Sequence, residues 1–98
     1  KIRITGNNQT PGDWESIKIL FSSSTQNRFE HCILSYGGGS SSYEGIVTLT
    51  GTSAYCYIAD SEIKGSARYG LQNQNNNSTF EDGGGIVWSD NTLGDIGD

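Results

Sequence analysis

Apolar residues in this chain come in short runs rather than at helical spacing. Ile17-Lys18-Ile19 and Ile46-Val47-Thr48-Leu49 are β-branched and apolar, with Gly or Ser at their flanks, the composition of short strands. Polarity then alternates residue by residue. Cys32, Leu34 and Tyr36 take one side and His31, Ile33 and Ser35 the other; further on, Ser61 and Ile63 face in while Asp60, Glu62 and Lys64 face out. A period of two is the pleat of a β-strand. The runs Gly37-Gly38-Gly39-Ser40-Ser41-Ser42 and Asn73-Gln74-Asn75-Asn76-Asn77-Ser78 separate these strands and are expected to be corner loops.

The order of elements repeats. A shift of 29 residues lays Trp14-Glu15-Ser16-Ile17-Lys18-Ile19-Leu20 on Tyr43-Glu44-Gly45-Ile46-Val47-Thr48-Leu49, then Phe29 on Ile58, Cys32 on Ser61 and Leu34 on Ile63. A third copy follows at shorter spacings, with Leu71 answering Ile46 at 25 residues and Phe80 answering Ile58 at 22. Ile2-Arg3-Ile4-Thr5-Gly6 has the form of the end of an earlier, incomplete copy. In-order repetition of short strands and corners predicts an all-β solenoid, a parallel β-helix of about three to four coils. Each coil would sit about 4.8 Å above the last. The coils would cover approximately residues 14–42, 43–67 and 68–90, leaving 91–98 as an irregular acidic tail. Ile17, Ile46 and Leu71 would form one interior ladder and Phe29, Ile58 and Phe80 another. The alternative, an antiparallel β-sandwich, accounts for the strand number but not for the repetition.

The run Gly12-Asp13-Trp14-Glu15-Ser16-Ile17, followed by Asn27-x-Phe29-x-x-Cys32-x-Leu34-x-Tyr36-Gly37-Gly38, resembles the repeats of bacterial right-handed parallel β-helix proteins of the pectate-lyase-like superfold. The resemblance spans about residues 10–72. It implies a secreted or surface-anchored protein. It does not select an activity, because the superfold hosts lyases, hydrolases, adhesins and modules without known activity.

Composition narrows the classes. Hydrophobic residues make up 33% of the 98 positions and Gly supplies 14 of them, so a single small domain or segment is expected. Gly, Ser, Thr and Asn are poor helix-interior residues, which argues against a helix bundle. No apolar run reaches membrane-span length. The formal net charge of −5 argues against a nucleic-acid partner, which requires a basic face. Cys32 and Cys56 lack zinc-type spacing, and their pairing is left open. A solenoid of this length has open coil ends that expose strand edges and core. The chain is therefore expected to belong to a larger body or to dock on a partner through an end.

Three groups of residues are candidates for chemistry. A constant register would stack His31 beside Asp60, and Asp60 beside Asp82, on the outward face. Such a set suits acid–base chemistry or Ca2+-assisted cleavage of a polysaccharide. By resemblance, pectate-type lyases use an Arg or Lys base near Ca2+-holding aspartates, and Arg68 and Lys64 lie near Asp60. The lyases' characteristic motifs are absent, as are the hydrolases' Asn-x-Asp and Asp-Asp pairs. The same positions also read as an outward face kept polar for solubility. Secondly, Glu15 over Glu44 would place two carboxylates about 5 Å apart, a site for Ca2+ or a pair neutralised by Lys18 or Arg68. Thirdly, Trp14, Tyr43 and Tyr69 would present rings beside Asn and Asp, a means of holding sugars, unless they only cover a corner of the core. The expected function is a non-catalytic structural or adhesive segment of an extracellular or cell-surface protein that contacts glycans. A fragment of a polysaccharide lyase or glycoside hydrolase is the competing class.

Overall fold

The computed structural model describes residues 2–39, 44–51, 53–74 and 78–97. Eleven strands form: β1 (Ile2–Ile4), β2 (Ile17–Leu20), β3 (Arg28–Glu30), β4 (Cys32–Ser35), β5 (Gly45–Thr50), β6 (Tyr55–Ala59), β7 (Glu62–Lys64), β8 (Tyr69–Asn73), β9 (Thr79–Asp82), β10 (Val87–Ser89) and β11 (Gly94–Gly97). They lie in three sheets, ordered β1-β4-β7-β10, β2-β5-β8-β11 and β3-β6-β9. The chain visits the sheets in rotation, and each strand pairs with the one three places on. Every pairing is parallel. The antiparallel sandwich is thereby excluded, since its neighbours run in opposite directions.

Register is constant within a strand pair but not along the chain. Phe29 pairs with Ile58 and Leu34 with Ile63, as the 29-residue shift predicts. Ile17, however, pairs with Val47 rather than Ile46, and Leu71 with Val47. Phe80 pairs with Cys56, not with Ile58. Corner length is the reason. Each turn between strands can gain or lose residues without disturbing a ladder, so each sheet sets its own offset. The acidic tail expected to be irregular is β11 over Gly94–Gly97. There Ile96 extends the column Ile17, Val47, Leu71 of the second sheet.

These columns make the core. Leu34, Ile46, Val47, Leu49, Cys56, Ile58, Ile63 and Leu71 are fully buried and belong to one cluster. Cys32 and Cys56 are both buried and free. Buried serines satisfy the backbone at the corners: Ser61 Oγ accepts the Cys32 N–H at 3.1 Å and donates to Ala59 O at 2.8 Å. Among the described residues, the exposed large hydrophobics are Ile2, Ile4, Leu20, Phe21, Val87, Leu93 and Ile96. All lie on, or directly beside, the outermost strands of the first two sheets.

The corners repeat a backbone device. A residue with positive φ follows the strand at matching places on successive levels: Tyr36 (67°), Gly65 (72°) and Asp90 (55°) leave the first sheet, Phe21 (55°) and Gly51 (82°) the second, and His31 (56°) and Asp60 (50°) the third. One left-handed residue bends the chain sharply between two strands. Asp and His tolerate that conformation better than bulky residues do. The two aromatic corners lie over glycines. A methyl at Gly51 would fall 2.5 Å from Phe21 Cδ1, and one at Gly65 would fall 2.8 Å from Tyr36 Cδ1.

Candidate functional site

His31 and Asp60 occupy the corners that lead from the third sheet into the first. Because Glu30 pairs with Ala59, the next residues of the two strands stand on the same column. The His31 N–H donates to Ala59 O at 3.4 Å, and the Asp60 N–H to Gly84 O at 2.9 Å. Both side chains are exposed. They line an open concavity of about 500 Å3 with Ser61, Glu62, Gly85 and Val87. The Asp60 carboxylate leans over Gly85, where any side chain would collide with it. Glu62 is ion-paired with Lys64 at 3.7 Å.

Asp82 stands apart from this group. It pairs with Ile58, two residues before the level of Asp60, and its Oδ1 accepts the Gly84 N–H at 2.8 Å. The register of 24 residues between β6 and β9, in place of 22, causes the displacement. Among the described residues, no group of three or more His, Cys, Asp or Glu side chains is placed to hold a metal ion. The concavity thus unites an imidazole with two carboxylates, one of them shared with a lysine.

Glu44 is nearly inaccessible, and its Oε2 meets Lys18 Nζ at 2.5 Å. Lys18 is held above the usual lysine range, first by this hydrogen bond and then by the charges of Glu44 and, more weakly, Glu15. The cation associated with the two glutamates is therefore the Lys18 ammonium. Arg68 and Lys64 sit on the following level, at the end and start of neighbouring strands, with Lys64 opposite Ser35.

The aromatic candidates separate. Tyr43 lies outside the described residues. Trp14 is half-buried, packs against the core and donates its indole N–H to Ser35 O at 2.8 Å. A methyl at Gly37 would lie 2.9 Å from its ring. One edge of Trp14 nonetheless reaches a second concavity, about 330 Å3, lined also by Ile4, Thr5, Gly6, Asn7, Asn8 and Asp13. There the Asp13 carboxylate accepts the Asn8 backbone N–H at 2.9 Å and its side-chain amide at 3.2 Å. Tyr69 is half-buried and covers Gly97, where a methyl would lie 2.5 Å from its Cδ2.

A further polar set escaped the sequence reading. On the third sheet Arg28 Cζ lies 4.0 Å from the centroid of the Tyr57 ring, a cation–π contact. Arg28 also bonds Glu30 at 3.3 Å. Beside them the Tyr55 hydroxyl donates to Glu81 Oε1 at 2.6 Å, which raises the phenol above its ordinary pKa. The signal was present in Tyr55-Cys56-Tyr57-Ile58, where the rings alternate with buried Cys56 and Ile58.

No protein-family model, no curated protein and no solved structure matches the chain.

Proposed function

We propose that the chain forms about three to four coils of a right-handed parallel β-helix resembling the pectate-lyase-like repeat proteins. In this reading it serves as a rigid structural or adhesive segment of a secreted or cell-surface bacterial protein. The observation that carries the reading is the rotation of the strands through three sheets, each pairing in parallel with the third strand on. Right-handedness follows from the strong preference of parallel crossover connections. Columns such as Ile4, Leu34, Ile63 and Trp88 run through all levels of the first sheet and favour a stiff rod.

A non-catalytic role is supported by the engagement of the acids: Glu44 is taken by Lys18, and Asp82 caps a backbone N–H. The test is cleavage of acidic and neutral polysaccharides by the chain and by Asp60→Asn. No turnover by either is expected. Turnover by the native chain that Asp60→Asn abolishes would overturn the reading in favour of a lyase or hydrolase.

One observation favours glycan contact as part of the adhesive role. Trp14, Asn7, Asn8 and Asp13 line one concavity, an aromatic edge with amides and a carboxylate, which suits a sugar ring and its hydroxyls. On a glycan array Asn7→Ala should reduce retention while leaving the circular dichroism spectrum unchanged. Retention equal to that of the native chain would remove this site.

A further inference from the structure

The two ends of the stack are unlike, and they match one another. At the first level β1 and β2 each have one edge without a strand neighbour among the described residues; at the last level β10 and β11 do. The columns arriving at those edges are apolar at both extremes. In the first sheet a column starts with Ile4 and ends with Trp88; in the second, one starts with Ile17 and ends with Ile96. One further parallel step would set Ile4 on Trp88 and Ile17 on Ile96, continuing both interior ladders.

Charge is also complementary. Residues 1–30 hold four of the six Lys and Arg, whereas residues 79–98 hold none and carry five of the eleven Asp and Glu. In the same register Lys18, at the head of its column, would stand beside Gly97, on the face that Asp95 shares two residues away. Joining two like ends would instead oppose charges of one sign at the acidic end, and would reverse the strand direction that every existing pair keeps.

We propose that the partner these ends fit is a second copy of this chain, stacked head to tail. β1 and β2 of one copy extend the sheets that end at β10 and β11 of the other, while the sheet ending at β9 stops a level lower and takes no part. The contact is heterologous, so it leaves a free end of each kind and grows into linear assemblies rather than closing as a dimer. The inference rests on the β-helical reading above.

The experiment is sedimentation velocity, with circular dichroism on the same samples, for the chain and two end-blocked variants. Ile2→Lys with Ile4→Lys blocks the first end, and Ile96→Lys the last. All three sites are exposed or partly so, so the variants should keep the β spectrum. The native chain is expected to grow with concentration into a series of increasing mass. Each variant alone should stay monomeric, and an equimolar mixture of the two should stop at twice the monomer mass. A native chain that stays a folded monomer at high concentration overturns the inference and leaves the fold reading intact. A dimer formed by the Ile96→Lys variant alone overturns it too, because that dimer joins like ends. An unfolded native chain overturns both.

Discussion

Leu71 and Ile96 occupy one column of the second sheet but meet different surroundings, and truncating each gives a sharp comparison. Leu71 has no exposed surface, with Val47 on one side and Ile96 on the other. Leu71→Ala removes the transfer free energy of its methyl groups and leaves a cavity between two strands that cannot close up. The cost should be about 3 kcal/mol, or roughly a 15 °C fall in Tm for a chain of this size. Ile96 is 47% exposed. Ile96→Ala forfeits only about half of a full side-chain burial and opens no closed cavity, so about 1 kcal/mol is expected. Urea unfolding followed by circular dichroism, at concentrations where the chain is monomeric, measures both. The midpoints should separate with unchanged slopes. Equal losses would refute the reasoning, because they would mean that Leu71 is not enclosed between neighbouring levels.

Gly51→Ala places a methyl against the Phe21 ring at a φ of 82°, whereas Gly84→Ala, at 92°, meets nothing within 4 Å. The first should therefore cost about 2 kcal/mol and the second about 1 kcal/mol, the backbone penalty alone, in the same urea assay. Burial pushes the Cys56 thiol up to about 12, so native Cys56 should resist iodoacetamide in mildly alkaline buffer and react fully on unfolding. Because the fold favours the neutral thiol, its contribution to stability is complete below the unfolded thiol pKa near 8.5 and declines as pH rises through the folded value. Tyr55 follows the same sign. Its hydrogen bond to Glu81 raises the phenol, so this stabilisation is whole below about pH 10 and lost above the folded pKa. Tyr55→Phe should make the alkaline fall of the urea midpoint shallower; an unchanged slope would show that the hydrogen bond does not favour the folded phenol.

What was legible in the sequence was the order of elements; what was not was how far each corner displaces the next register. Phe29 over Ile58 and Leu34 over Ile63 could be read because the segments between β3 and β4 and between β6 and β7 have nearly equal lengths. Ile17 missed its partner by one residue because seven residues separate β2 from β3 but only four separate β5 from β6. The same effect moved Asp82 out of line with Asp60, and with it one third of the expected acidic row. Trp14 and Tyr69 illustrate a different limit. Periodicity can place a ring on a face, but it cannot reveal that a glycine on the adjacent level leaves a seat for it, as Gly37 and Gly97 do. The positive-φ corners at His31 and Asp60 carried only a faint signal, a tolerant residue type at each strand end. The β11 strand was obscured by its glycines and aspartates, since only Ile96 in it marks an inward position.

The central claim is the pairing of each strand, in parallel, with the third strand on. Interstrand nuclear Overhauser contacts in the isotopically labelled chain test it most directly. The account predicts parallel-type amide-to-α contacts that place Leu34 beside Ile63, Val47 beside Leu71 and Cys56 beside Phe80. Close α–α contacts between consecutive strands such as β4 and β5, the mark of antiparallel neighbours, would contradict it.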